Sequence, residues 1–272
     1  MTDSQIENAI HPTAIVDARA KIGVDVKIGP YCIVGPDVKL HDNVELVSHV
    51  CIDGITEVGE NTKIFPFASV GHQPQDLKFH GEKSKLIIGK NCTIRENATL
   101  NPGTKDGGML TQVGDNCLLM AGTHVAHDCI VGNNVIMANL SGLAGHCVTG
   151  DYVTIGGMVV VHQFVRIGSY AFLGAHSMVD ADVIPYGMVV GNRAKLAGLN
   201  LIGLKRRKFN REQIHTLRAA YRMLFSNEGT LSERVDDASS IFSGSEMVRD
   251  ITDFLSASDR QICTPRNSGS SQ

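Results

Sequence analysis

Tryptophan is absent from this chain of 272 residues, and aromatic residues make up only 5 % of it. A core built on large rings is thereby excluded. A surplus of positive charge is missing too. The formal net charge is −3, so the basic footprint of a nucleic-acid-binding protein is not there. No apolar run approaches the ~20 residues of a membrane-spanning helix. The opening Met-Thr-Asp-Ser-Gln has no basic segment leading into an apolar one, so no secretory leader is expected and a cytoplasmic location is. There are seven cysteines but no Cys-x-x-Cys, which speaks against a zinc ribbon or a disulfide framework. A Gly-rich phosphate loop and a dinucleotide fingerprint are also missing. Hence no cofactor is expected.

What the chain has is glycine, 28 residues of it, and aliphatics at a fixed spacing. From Ile10, steps of six reach Val16, Ile22, Ile28, Val34, Leu40, Leu46, Ile52, Val58, Ile64 and Val70. The register resumes at Ile88, Ile94 and Leu100. It then shifts by one and runs from Val113 through Leu119, Val125 and Val131 to Val179, with only Met137 and Thr149 departing from Ile, Leu or Val. Neither a 3.6-residue helix nor a period-2 strand gives a strict six. Four residues after each aliphatic stands a small or β-branched residue, as at Ala14, Val26, Cys32, Val44, Cys92, Cys117, Cys129 and Cys147. Each hexad thus reads as a short strand and a turn, with the aliphatic inside and the small residue at a crowded corner. That is the hexapeptide β-helix pattern. It makes Cys32, Cys92, Cys117, Cys129 and Cys147 small buried hydrophobes rather than reactive thiols.

Polar segments at 71–87 and 101–112 interrupt the aliphatic column and are expected to loop out of the coil, where function often resides. After Pro185 the pattern ends. Asn210 with Gln213 predicts a capped helix start, with Ile214, Leu217, Tyr221 and Leu224 on one face and Gly229 at the end. Thr230 with Glu233 opens a second helix and Ser245 a third, running to about Leu255. The division expected is a β-helix over 1–190, a small helical part over 191–258 that caps the open solenoid end, and a disordered tail over 259–272.

Three hexads make a coil, so residues 18 apart stack about 4.8 Å from one another. His127 then lies in line with Gly145 and Gln163, and Asp128 with His146 and Phe164. His124 and His162 stand close in sequence to this patch. Three readings fit it. The histidines could be solvated surface groups. His124, His127 and either His146 or His162 could bind Zn²⁺. Or neutral His127 takes a proton from a hydroxyl while Asp128 holds the ring and the Gly145 N–H donates to a developing oxyanion. The last reading involves no metal.

The repeats resemble the hexapeptide acyltransferases, whose fold is a left-handed parallel β-helix. A closer resemblance is carried by Ile-Gly-Pro-Tyr-Cys-Ile-Val-Gly-Pro (28–36), Gln-Asp-Leu-Lys (75–78), His-Val-Ala-His-Asp-Cys (124–129), Leu-Ala-Gly-His (143–146), Ile-Gly-Gly-Met (155–158), Val-His-Gln-Phe (161–164), Gly-Asn (191–192) and Gly-Leu-Lys-Arg-Arg (203–207). Together these are similar to the UDP-N-acetylglucosamine O-acyltransferase family of lipid A biosynthesis, over about residues 9–255. The resemblance implies an R-3-hydroxyacyl chain moved from acyl carrier protein to the 3-hydroxyl of UDP-N-acetylglucosamine by a homotrimer with sites between neighbouring β-helices. It makes His127 the general base, Asp128 its support and Gly145 the oxyanion donor. His124, His146, His162 and Gln163 would line the sugar, phosphate and acyl sites. Gln75, Asp76 and Lys78 of the first loop would contact substrate, and Asn200 and Arg206 the nucleotide, with Arg207 beside them. Ile202, Arg193 and Ala175 depart from residues that relatives carry near the nucleotide or the acyl tail. The sister N-acyltransferases carry an extra N-terminal domain, for which hexads starting at Ile10 leave no room.

Overall fold

The computed structural model of the protein describes residues 9–257 and 260–265. Among these, the hexads fold into three sheets of eleven, nine and eight strands, most of them two residues long. From Ala9–Ile10 to Gly187–Val190 each strand belongs to a different sheet from the one before it, so the chain winds around a triangular prism. Lys63–Ile64 pairs in parallel with Glu45–Leu46 on one side and Thr93–Ile94 on the other. The strands are in register, and each inward residue sits over another. Ile28, Leu40, Leu46, Ile52, Ile64, Ile94, Leu100, Leu119 and Leu143 are essentially solvent-free, each burial contributing roughly 1.5–3 kcal/mol. Met137 and Thr149, the two departures in the column, are buried as well. The column opens at its start, where Ile10 is 44 % exposed and Val16 and Ile22 are half-buried.

The corners carry a regularity that hydrophobic spacing does not reveal. The third residue after the inward aliphatic repeatedly adopts the left-handed conformation, as at Asn43, Asn61, Asn91, Asn116 and Asn134, with φ between 54° and 58°. This region is disfavoured for most L-residues, and Asn, Asp and His enter it most readily. Asp128 and His146 occupy the same corner position, at φ 60° and 63°. Cys32, Cys92, Cys117, Cys129 and Cys147 are free and buried at the packed corner, as their spacing implied.

Both loop-outs are shorter than the polar composition suggested. Pairing resumes at Lys85–Ile88 and at Leu110–Val113, so the segments outside the coil are residues 71–84 and 101–109. The six-residue register resumes only at Ile88 and Val113, the last residue of each strand, which hid the three residues before it. Coil partners are 30 residues apart across the first loop-out and 25 across the second.

The helical part also begins later than residue 191. Lys195–Leu199 is a strand paired antiparallel with Gly187–Val190. Helix α1 (Leu201–Arg206) follows, capped by Asn200, and it was not foreseen. Helix α2 (Arg211–Leu224) has the expected capping box of Asn210 and Gln213, but it ends five residues before Gly229. Helix α3 (Leu231–Ile241) has the Thr230–Glu233 box, and α4 (Glu246–Ser256) starts at Ser245. Of the tail expected to be disordered, residues 260–265 are placed: Ile262 bridges to Asp182, Pro265 to Leu196, and Cys263 is buried. The rest of that tail, residues 259 and 266–272, lies outside the described residues, as does residue 258. The solenoid end is therefore covered by the antiparallel strand and the 260–265 segment. The helices dock at its side, where Phe209 meets Tyr170 and Tyr186 edge-on and Tyr186 donates to Asp250 of α4. No helix among the described residues is long and apolar enough to cross a membrane.

Candidate active site

Val125 points into the prism, and the two residues beyond Ala126 form the corner. His127 is second after the aliphatic and Asp128 third, so both side chains leave the core. Asp128 nonetheless has no solvent-accessible side-chain surface. The second loop-out covers it. Asp128 Oδ1 accepts the Thr104 N–H at 2.8 Å, and Oδ2 accepts the Thr104 hydroxyl at 2.6 Å. The Asp128 N–H donates to Thr111 Oγ1 at 2.7 Å. A Cβ at Gly107 would lie 2.0 Å from Asp128 Cγ, so only glycine lets the loop come this close.

His127 Nδ1 lies 2.8 Å from Asp128 Oδ2. A carboxylate only accepts, so this contact places the imidazole proton on Nδ1 and leaves the Nε2 lone pair free. One coil on, Gly145 faces the ring: a Cβ there would stand 2.5 Å from His127 Cε1 and 2.7 Å from Nε2. The glycine is thus required for space beside the His127 ring. Its carbonyl accepts from Phe164, and its N–H has no protein acceptor among the described residues.

His146 packs edge-on to His127 with ring centroids 5.0 Å apart and lies flat on Phe164 at 4.3 Å. Burial pushes the His146 pKa below the ordinary imidazole value, and the nearby Asp128 charge opposes this. His124 sits on the adjoining sheet face with Nδ1 2.7 Å from Thr99 Oγ1, and burial lowers its pKa too. Both rings are neutral near pH 7. His162 and Gln163 are exposed one coil further. His127, Asp128 and His146 offer ligand atoms within 4.8 Å of one another, a set that could hold a metal ion. Both carboxylate oxygens are already engaged by Thr104, which favours Asp128 as an orienting group.

The two loop-outs face each other across a cavity of about 560 Å³ whose lining includes Asp76, Lys78, Thr104 and Lys105. The charges of Asp76 and Lys78 act on His146, which puts the first loop-out over the histidine corner. Gln75 and Lys78 are exposed on it.

A family model described as Udp N-acetylglucosamine O-acyltransferase, domain 2, matches residues 182–263, and one described as bacterial transferase hexapeptide (six repeats) matches 110–145. The acyl-(acyl carrier protein)–UDP-N-acetylglucosamine O-acyltransferase of Rhizobium johnstonii is 49 % identical over 94 % of this chain and 94 % of its own length. The same-named protein of Bartonella henselae is 46 % identical over 96 % and 95 %. The chain belongs to the UDP-N-acetylglucosamine O-acyltransferase family. Solved structures agree. LpxA from Acinetobacter baumannii superposes with a TM-score of 0.91 at 44 % identity, covering 93 % of this chain and 99 % of its own. The Francisella novicida UDP-N-acetylglucosamine acyltransferase gives 0.92 at 36 %, covering 95 % of each. The left-handed parallel β-helix with C-terminal helices is the architecture of this family and of this chain.

Not all the residues proposed from sequence come together in one chain. Asn200, Arg206 and Arg207 lie at a different corner, where Tyr152, Tyr170 and Tyr186 stack. Arg207 is committed there, with its guanidinium 4.1 Å from the Tyr152 ring centroid. Arg206 is exposed and has no ion pair among the described residues. Both line a cavity of about 410 Å³ with Tyr152 and Phe209. The Asn200 side chain caps α1 through the Gly203 N–H and donates to the Tyr170 carbonyl, so its side chain is already used inside the fold. Sequence reasoning missed Thr99, Thr104 and Thr111. Thr99 was findable, because it precedes His124 by one coil once the loop-out is discounted. Nothing in the spacing marks Thr104.

Proposed function

We propose that the protein moves an R-3-hydroxyacyl chain from acyl carrier protein to the 3-hydroxyl of UDP-N-acetylglucosamine, with His127 as general base. The observation that carries the mechanism is the His127 Nδ1 to Asp128 Oδ2 contact beneath Thr104, which leaves Nε2 free to accept a proton. In this reading His127 Nε2 takes the proton of the sugar hydroxyl as its oxygen attacks the thioester carbonyl. The tetrahedral oxyanion accepts from the Gly145 N–H. Its collapse expels the carrier thiolate, which is protonated by the imidazolium, so the base is regenerated. Transfer is direct, since no activated Ser or Cys stands at His127.

His124, His146, His162 and Gln163 line the acceptor and acyl sites in this proposal. Gln75, Asp76 and Lys78 close over the substrate, Lys78 facing a diphosphate oxygen. Arg206 and Arg207 take the nucleotide end, and with Lys205 and Lys208 they present a basic face to an acidic carrier. Within one chain the histidine corner and the tyrosine corner are distinct, so one site draws its base from one protomer and its arginines from a neighbour, as in a homotrimer. The β-helix then supplies the base and the helical part the cations.

The test incubates the protein with UDP-N-acetylglucosamine and a ladder of hydroxyacyl carrier proteins, with products read by mass spectrometry. A 3-O-acylated UDP-sugar is expected. Absence of transfer with every donor would overturn the reading. The rival supported by the His127–Asp128–His146 set is a zinc centre, and near-stoichiometric zinc in protein purified without chelator would favour it.

A further inference from the structure

The repeat itself supplies none of the donors to the Asp128 side chain apart from His127. We propose that Thr104, brought over the corner by the second loop-out, is a positioning residue for the transfer reaction, fixing the Asp128 carboxylate and through it the His127 ring. The inference rests on His127 being the base.

Three donors converge on the carboxylate. The Thr104 N–H binds Oδ1 at 2.8 Å, while the Thr104 hydroxyl and His127 Nδ1 share Oδ2 at 2.6 and 2.8 Å. Bonds to both oxygens stop rotation of the carboxylate about its terminal torsion, which is soft when left free. Asp128 is also pinned at its backbone by Thr111, at a left-handed corner. Thr104 is itself immobilised. It is 3 % exposed, and its carbonyl accepts the N–H groups of Gly107 and Met109.

The loop that carries Thr104 is hooked to the substrate-facing loop. Glu82 Oε1 accepts the Lys105 N–H at 3.0 Å, and Oε2 accepts the His80 N–H at 2.8 Å. The Asn101 amide donates to the His72 carbonyl at 3.1 Å. A chain of contacts therefore runs from Glu82 through Lys105 and Thr104 to Asp128 and His127.

The test uses full-length protein. Thr104→Val keeps the side-chain shape and removes the hydroxyl donor. A kcat lower by roughly 10- to 100-fold is expected, with KM for the UDP-sugar changed by no more than about threefold. Thr104→Ser restores most of kcat. A folded Thr104→Val with wild-type kcat would overturn the role, as would a Ser variant as slow as the Val variant. Should Thr104→Val not fold, Glu82→Ala on the loop surface is expected to lower kcat by about 3- to 10-fold, and wild-type kcat there would overturn the proposal. On a His127→Ala background, Thr104→Val should cost nothing further. Wild-type turnover in His127→Ala would remove the base assignment itself, whereas an inactive His127→Ala beside an unimpaired Thr104→Val removes only Thr104.

Discussion

The corner holding His146 and Phe164 and the corner holding Tyr152, Tyr170 and Tyr186 share one backbone conformation, with φ between 61° and 66° at each stacked residue. Both stack rings about one coil apart, at 4.3 Å in the first and 5.0–5.3 Å in the second. They differ in what covers them. Two loop-outs lie over the histidine corner, and one of them seals Asp128 against His127. The C-terminal helices lie against the tyrosine corner and bring Phe209 and Arg207 onto the rings. The solenoid makes ladders everywhere, and chemistry arises where an insertion adds a buried partner. A ladder of the same kind, Tyr31–His49–Phe67, has a histidine but no carboxylate hydrogen-bonded to it among the described residues.

If this contrast is right, damage at the two corners should differ in kind. Gly145→Ala puts a methyl group against the His127 ring, so transfer should fall by roughly 100-fold while the fold survives. Steady-state kinetics beside a melting curve would show it, and a harmless alanine would mean that the ring need not sit where it does. Arg206→Ala at the tyrosine corner should raise KM for the UDP-sugar about tenfold and leave kcat near wild type. A loss of kcat alone would place Arg206 in the chemistry instead and erase the distinction.

A smaller effect concerns acid stability. His124 and His146 have pKa values lowered by burial, so the folded protein binds fewer protons than the unfolded chain below the ordinary imidazole value near 6.5. Their contribution to stability is complete above that pH and is lost as pH falls through the folded values. The melting temperature should therefore drop between pH 7 and 5, and His124→Asn should flatten that slope. An unchanged slope would place the acid sensitivity outside His124.

Much of this was legible in the sequence because a period of six leaves few alternatives. The inward column, the buried cysteines and the stacking of His127 on Gly145 all follow from counting. Counting fails where the period is broken. Lys85–Ile88 and Leu110–Val113 meet the six-residue register only at their last residues, Ile88 and Val113, so the loops looked longer than they are. Thr104 reaches Asp128 from 24 residues upstream across an insertion of arbitrary length, which no spacing rule encodes. The resemblance alone offered Asn200 as a nucleotide contact, and its role as cap of α1 was hidden because that helix is too short to show an apolar period. The segment 260–265 lies in a tail that is polar and rich in Ser and Gly as a whole, and its order comes from pairing with Asp182 and Leu196.

The most direct test of the account is the rate of acyl transfer by His127→Ala, measured with saturating UDP-N-acetylglucosamine and acyl carrier protein on protein whose melting curve matches wild type. The account predicts a loss of about 1,000-fold or more. A rate within about tenfold of wild type would be too small a loss for a general base and would contradict it.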